Sequence, residues 1–428
     1  MLRETGTLPA QTQILVLGAG IAGHCAALAA ADAGAQVLLL EKASQPGGSS
    51  AIAGGAFAFC GTDIQRDHNI DDDISNFRND LMESGKGKNS PILVEAFLKS
   101  QLETYEQLRK WGVSFDLYLA PPPTISRAHI TGTGKAVTTL HMAARVHTNI
   151  KYFSKSSAAR LIRNPDTGRV DKAIIQFGDQ MEVISVHGGI ILATGGFSRS
   201  RELLQIYAPE LVSAVNHGGV ANTGDGLLMA SDLGAGHADL GYVTGSFGAA
   251  IRNYPERNEK ANEVPPLLFS FLEGGILVNK DGHRFVDEGQ SYKTLSAMGM
   301  QQPEGIGFQI FDQKLMNNSQ DDSSVNNYLE GIVGGYIRKA ESISALAKIM
   351  GIPAARLKET VERYNAAVAA GVDSDWGRTK TLLPIDTAPY YIAASTNALT
   401  STYGGITANE NMLVTDCFGE PIEGLYAA

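Results

Sequence analysis

A chain of 428 residues is long enough for two ordinary domains. With 43% hydrophobic and 19% charged residues it can bury a large core. Its net charge of −10, with no dense basic run, argues against a nucleic-acid binder, which needs an excess of Lys and Arg on one face.

The first 13 residues are polar and carry no signal-peptide core. No apolar run approaches the ~20 residues of a membrane helix, so no membrane span is expected. Cys25, Cys60 and Cys417 have no paired spacing, and a reducing cytoplasm is the expected location. The histidines are scattered without HxxxH or HxH spacing, and no metal site is expected.

In chain order, residues 13–17 read as a buried strand. The run Gly18-Ala-Gly20-Ile-Ala22-Gly23 follows and opens an alanine-rich helix that Gly34 ends. Residues 36–41 form a second strand ending in Glu41. Strand, glycines, helix, strand and acid together are the dinucleotide-binding βαβ unit. Gly18 permits the tight turn, Gly20 lets backbone approach a pyrophosphate, and Gly23 lets helix pack on strand. The helix start offers unpaired N–H groups to phosphate, and Glu41 can accept from a ribose diol.

Further on, residues 46–55 (PGGSSAIAGG) are small enough to meet an extended ligand. Residues 189–197 run as a strand into a glycine turn, and NTGDG at 222–226 opens another helix of small residues. Asp225 reads equally as a ligand contact and as that helix's N-cap. From about residue 240 to 400 the chain is more polar. It holds one clear helix at 353–369, with Pro353 at its start and Gly371 past its end. The stretch from Asn317 to Asn327 reads as a solvated loop.

These segments, with RFVDE at 284–288 and TYGG at 402–405, resemble the fumarate reductase/succinate dehydrogenase flavoprotein superfamily, which includes the 3-ketosteroid dehydrogenases. The matching pieces span nearly the whole chain in the family's order. The resemblance implies an α/β fold: a Rossmann-like FAD-binding domain with an inserted α+β cap (clamp) domain. Residues 1–239 would be the first part of the FAD domain, 240–400 the cap, and 401–428 the return. It implies FAD as cofactor, held by Gly18, Gly20, Ala22, Gly23, Glu41, Lys42, Gly48, Ser49, Ser50, Gly54, Gly55, Thr194, Gly195 and Asp225. In the family the final strand continues into further flavin-contacting elements. The sequence ends at Ala428, so the resemblance implies either a truncated chain or a tail left out of it, and a true truncation would weaken FAD binding.

The resemblance also bears on the chemistry. Fumarate reductases place an arginine past the RFxNE motif and histidines that grip the dicarboxylate. Here Tyr292 holds the arginine position, Thr400 and Ser401 precede the TxGG turn, and Ser246, Leu268 and Phe271 fall at other functional positions. A tyrosine after the motif is the ketosteroid dehydrogenase pattern, where it removes a proton alpha to a carbonyl. The expected catalytic set is Tyr292, Tyr403 and Arg284, with Tyr403 the best of the remaining phenols because its turn should face the flavin. Arg127 and His129 form an R-x-H pattern that either lines the site or pairs with acidic neighbours. The expected function is FAD-dependent dehydrogenation of a C–C bond alpha,beta to the carbonyl of a neutral cyclic, steroid-like ketone. The alternatives are a reductase of an unsaturated acid, using Arg127, Arg252 or Arg284 as carboxylate grip, and a non-catalytic flavin-binding homologue. No CxxCH haem motif is present, so electrons would pass through a separate donor or acceptor.

Overall fold

The computed structural model describes residues 7–120, 124–212, 214–256, 264–290, 292–319 and 325–428. They form two compact units. One comprises residues up to 203 with 219–241 and 403–428; the other comprises 204–218 and 242–402.

The first unit is built on an eight-stranded sheet. Strand Gln11–Leu17 lies at its centre, parallel to Val37–Leu40 on one side and to Gln180–Leu192 on the other. Ile150–Phe153 extends the parallel run at one edge and Pro421–Ala427 at the other. Val37–Leu40 is buried along its whole length, as a strand covered on both faces must be. The two faces alternate with the pleat. Val16 and Leu39 join Ala27, Leu28 and Leu140 in one core, while Leu15, Leu17, Leu38 and Leu40 join Ile175, Ile184 and Leu425 in the other. Helix Ile21–Asp32 connects the first two strands and closes with Gly34 at φ +92°. This is a Rossmann-like layer order.

The second unit is an α+β body around the long strand Tyr390–Thr402. That strand pairs antiparallel with Val243–Ala250, Gly307–Asp312 and Ile337–Ala340. It pairs parallel with Val215–Asn216, which explains why 204–218 folds with this unit although it precedes residue 240. Helices Ile343–Met350 and Ala354–Ala370 cover one face, contributing Leu346, Leu357, Val361 and Tyr364 to its core. The longer helix ends on Gly371 in the left-handed conformation; Pro353 is its N-cap residue. Residues 320–324 of the expected solvated loop lie outside the described residues.

Candidate active site

The first unit presents a cradle made largely of backbone. Gly18 has φ +107°, and a Cβ there would lie 2.2 Å from the carbonyl oxygen of Ala193. A Cβ on Gly23 would lie 1.8 Å from the carbonyl oxygen of Gly18, so turn and helix touch without side chains. Gly20 is the N-cap of the following helix and caps it with no side chain of its own. Ala22 stands exposed in the first turn. The Ser50 hydroxyl accepts the Ile21 N–H at 3.2 Å, bringing the 46–55 segment against the helix start. Gly48 and Gly54 are exposed, and a Cβ on either would meet nothing within 4 Å. A Cβ on Gly55 would strike the Gly132 carbonyl at 2.4 Å. A helix N-terminus bordered by bare backbone and two serine hydroxyls fits a diphosphate.

Glu41 is buried at the end of its strand. Its carboxylate accepts the N–H of Ala19 at 2.9 Å and of Ala43 at 2.7 Å, which fixes it beside the glycine turn. A carboxylate has about four acceptor positions, so two remain for a ribose diol.

The other predicted cofactor residues are drawn together by a polar clasp. Lys42 Nζ donates to Thr223 Oγ1 at 2.6 Å and to Asp225 Oδ2 at 2.7 Å, and the Thr223 hydroxyl donates to Asp225 Oδ1 at 2.7 Å. Asp225 is not the N-cap of its helix, as one sequence reading had it. That place belongs to Gly224, in the left-handed conformation, and Asp225 is the first helical residue. Ser49 accepts from Gly219 N–H at 3.0 Å and from Asn222 Nδ2 at 2.9 Å. Thr194 and Gly195 form the turn after strand Gln180–Leu192; a Cβ on Gly226 would lie 2.1 Å from Thr194 Oγ1, and one on Gly195 would lie 2.8 Å from Asn222 Oδ1. Asn222 and Arg199 were not singled out from sequence. The asparagine that opens NTGDG was the available signal; Arg199 had none.

His24, also not anticipated, is fully buried one turn into the same helix. Its Nδ1 meets the Gly20 carbonyl at 2.8 Å and its Nε2 meets His141 Nδ1 at 3.1 Å. Burial lowers its pKa to about 4, so it is neutral near pH 7.

The R-x-H pattern resolves into structure. The Arg127 guanidinium forks onto the Asp72 carboxylate at 2.7 Å on both oxygens, pairs with Asp80, and lies over the Phe77 ring. His129 is fully buried between Thr62 Oγ1 and the Arg127 carbonyl, each at 2.8 Å. Pairing with acidic neighbours is therefore what Arg127 does.

In the second unit the RFVDE segment builds a buried ion cluster. Arg284 Nε and Nη2 donate to Glu288 at 3.0 and 2.6 Å, and Nη1 and Nη2 donate to Asp373 at 3.2 and 2.9 Å. Arg378, fully buried, donates to Glu288 at 3.3 Å and to the carbonyls of Gly275, Phe271, Thr381 and Lys380. Both guanidinium groups lie over the Tyr364 ring. Burial alone would raise the Asp373 carboxyl, but the hydrogen bonds and charge of Arg284 hold it below its ordinary value. The expectation of Arg284 as a catalytic group gives way to this geometry: its donors are taken up inside the unit and its side chain is 5% exposed.

Tyr292 opens the helix Tyr292–Met300, and its side chain lies outside the described residues. That helix docks closely on strand Val243–Ala250, since a Cβ on Gly299 would fall 2.3 Å from the Phe247 ring and one on Gly245 2.6 Å from Ser296 Oγ. Leu268 and Phe271 are fully buried core. Tyr403 belongs to the first unit and is 59% exposed, carried on a turn where a Cβ at Gly404 would lie 2.1 Å from the Asp239 carbonyl carbon. Among the described residues no helix is long and apolar enough to cross a membrane, and no three His, Cys, Asp or Glu converge as metal ligands.

The family model for the FAD binding domain matches residues 13–428. The chain belongs to this FAD-binding family. It is a member of the fumarate reductase/succinate dehydrogenase flavoprotein superfamily, an FAD-dependent oxidoreductase acting on C–C bonds. It is 30% identical to the probable fumarate reductase Ifc3 of Shewanella frigidimarina, over 97% of this chain and 69% of that protein. It is also 30% identical to the urocanate reductase of Eggerthella lenta, over 98% of this chain and 70% of that one. Its identity to the vinyl phenol reductase of Lactiplantibacillus plantarum is 29%, over 97% of this chain and 88% of that protein. Among solved structures, the open conformation of a flavocytochrome c3 fumarate reductase matches with a TM-score of 0.85 at 29% identity, over 98% of this chain and 72% of that one. The 3-ketosteroid Δ1-dehydrogenase of Sterolibacterium denitrificans shares the fold, with a TM-score of 0.80 at 20% identity, over 98% of this chain and 93% of that one.

Proposed function

We propose that this flavoprotein reduces a C=C bond conjugated to an uncharged polarising group, such as a ketone or a phenol, and does not act on a dicarboxylate. The observation that carries the proposal is the commitment to carboxylates inside the protein of Arg127 and Arg284, two of the three arginines considered for gripping a substrate carboxylate. Arg127 is forked onto Asp72, Arg284 is held by Glu288 and Asp373, and Arg252 lies over the Tyr336 ring at 5.1 Å. Gripping two carboxylates calls for cationic, preferably bidentate donors. By the resemblance, the fumarate reductases' arginine, histidine and proton-relay glutamate positions fall at about Tyr292, Ser246, Leu268, Phe271, Thr400 and Ser401. Likeness to a vinyl phenol reductase along most of its length supports an uncharged substrate, and the reductase names of the 29–30% identical relatives support the reductive direction.

Reduced FAD, when bound, would supply the hydride. Glu41, the glycine turn and the Lys42–Asp225 clasp orient it. Tyr292 gives the proton to the carbon next to the one that receives hydride, so one two-electron, two-proton reduction is completed. A free phenol titrates at about 10 and so carries a proton to give at neutral pH. Tyr403 polarises the substrate carbonyl or phenol as negative charge develops. The two electrons would come to the flavin from a separate electron carrier. Dehydrogenation of a steroid-like ring ketone is the second reading; Tyr292 favours it, since the same residue would then remove the proton.

The test is anaerobic. Reduced enzyme is mixed in turn with 4-vinylphenol, a cyclic enone, urocanate and fumarate, and reoxidation of the flavin is followed. Vinylphenol or the enone is expected to reoxidise it at least about 100-fold faster than fumarate, the loss expected when paired cationic donors are missing. Fumarate as the fastest oxidant would overturn the proposal. Reoxidation by none of the four would favour a non-catalytic flavin binder.

A further inference from the structure

Ser49 sits in the cofactor cradle with an unusual hydrogen-bond arrangement. A hydroxyl has two acceptor positions and one donor. Both acceptor positions of Ser49 are taken, by Gly219 N–H at 3.0 Å and Asn222 Nδ2 at 2.9 Å. Its own O–H can then only donate. FAD is rich in acceptors along its diphosphate, its ribityl chain and the pyrimidine edge of its ring system.

The turn that imposes this polarity is itself clamped. The Asn222 N–H closes it by donating to the Gly219 carbonyl at 3.0 Å. Arg199 grips both ends: its backbone N–H donates to the Asn222 carbonyl at 2.9 Å, and its Nε donates to the Gly219 carbonyl at 3.1 Å. The turn lies close against its neighbours: a Cβ on Gly219 would lie 2.6 Å from Ser49 N, and one on Gly195 would lie 2.8 Å from Asn222 Oδ1. Arg199 thus ties the two ends of the turn together through its backbone and its side chain. Its half-buried guanidinium makes the bond to Gly219 charge-assisted and stronger than a neutral one.

We propose that Arg199 is a positioning residue for FAD: by clamping residues 219–222 it forces the Ser49 hydroxyl to act as a hydrogen-bond donor to an acceptor on the cofactor. This goes beyond the glycine fingerprint and rests on FAD binding alone, not on the identity of the substrate.

The experiment is a mutant cycle on FAD affinity, measured by titrating apoprotein with FAD in the absence of any substrate. Ser49→Ala and Arg199→Ala are each expected to raise Kd about 10-fold, the loss of one well-placed hydrogen bond. Ser49→Ala/Arg199→Ala is expected to be no worse than either alone, because both remove the same donor. Arg199→Lys, whose ammonium can still reach the Gly219 carbonyl, is expected to return Kd to within about 3-fold of the parent. The flavin absorption band is expected to shift in the same direction in both single variants. Additive losses in the double variant, an unchanged Kd in Arg199→Ala, or no rescue by lysine would each overturn the proposal. If Arg199→Ala fails to fold, the cycle is run with Arg199→Gln, which keeps an N–H donor of similar reach but no charge. Rescue of Kd by lysine but not by glutamine supports the clamp as charge-assisted, and equal losses with both overturn it. Failure here leaves the proposed substrate class untouched, since no turnover is measured.

Discussion

The two units stabilise their key regions by opposite means. The cradle of the first unit is defined by atoms that are missing: at Gly18, Gly23 and Gly55 a Cβ would overlap a carbonyl oxygen at 2.2, 1.8 and 2.4 Å. The heart of the second unit is defined by charges that are present. Arg284 and Arg378 face Glu288 and Asp373 with almost no exposure. A site made from backbone can receive a ligand without first breaking its own contacts. A cluster made of mutually satisfied ions cannot, and Arg284, expected as a catalytic group, has its donors engaged by Glu288 and Asp373 within such a cluster. Closeness of a motif to the chemistry therefore does not decide whether its charged residue touches substrate.

The comparison can be broken at several points. The largest effect belongs to Gly23→Val, which drives a branched side chain into the Gly18 carbonyl. Complete loss of bound flavin is expected, read from flavin absorbance of the purified protein. A variant at Gly23 that keeps its flavin would show that the cradle is not backbone-limited.

Next comes Tyr292→Phe. Loss of a positioned proton carrier costs roughly 10²–10⁴ in rate, and stopped-flow reoxidation with the flavin still bound measures it. An unchanged rate would remove Tyr292 from the mechanism.

Arg284→Ala sharpens the other side. It leaves Glu288 and Asp373 buried without their main partner, and breaking a buried pair in this way costs about 3–5 kcal/mol. Denaturant unfolding should show the loss, whereas a stable variant with altered substrate KM would restore Arg284 to the active site.

The cluster also predicts a pH dependence. The Asp373 carboxyl titrates below its ordinary value in the folded protein, so the unfolded chain takes up its proton first as pH falls. The stabilisation is fully present above the ordinary carboxylate pKa and is lost as pH drops through the folded value. Thermal unfolding in the acidic range should therefore be less steep with pH in Asp373→Asn than in the parent, and parallel curves would contradict the sign.

The smallest effect is expected from Lys42→Met. The Lys42–Asp225 bridge is 40% and 32% exposed at its two ends. Exposed pairs contribute ~0–1 kcal/mol, and a fall of a few-fold in FAD affinity, seen by titration, is the expected size.

Much of the first unit was legible in the sequence because its information is local. The turn, the helix and the acid lie within residues 18–41, and spacing alone orders them. The FAD identity came from the wider resemblance. The clasp was half visible: Lys42, Ser49 and Asp225 stood out, but not that Lys42 and Ser49 would meet partners 170 or more residues away in Gly219, Asn222, Thr223 and Asp225. Arg199 was invisible because its role is made by two carbonyls of a turn that no side-chain pattern marks. In the second unit RFVDE was recognised, yet its physical meaning depends on Asp373 and Arg378, some 90 residues later. Segment 204–218 was placed with the first unit because its two-residue strand carries no periodic signal; only its pairing with Tyr390–Thr402 assigns it.

The account turns on whether the substrate site grips carboxylates. Titrating the oxidised, FAD-loaded enzyme with 4-ethylphenol and with succinate, and reading the perturbation of the flavin spectrum, asks this directly. The account predicts a saturable change with the phenol and none with succinate at the same concentrations; saturable, tighter binding of succinate would contradict it.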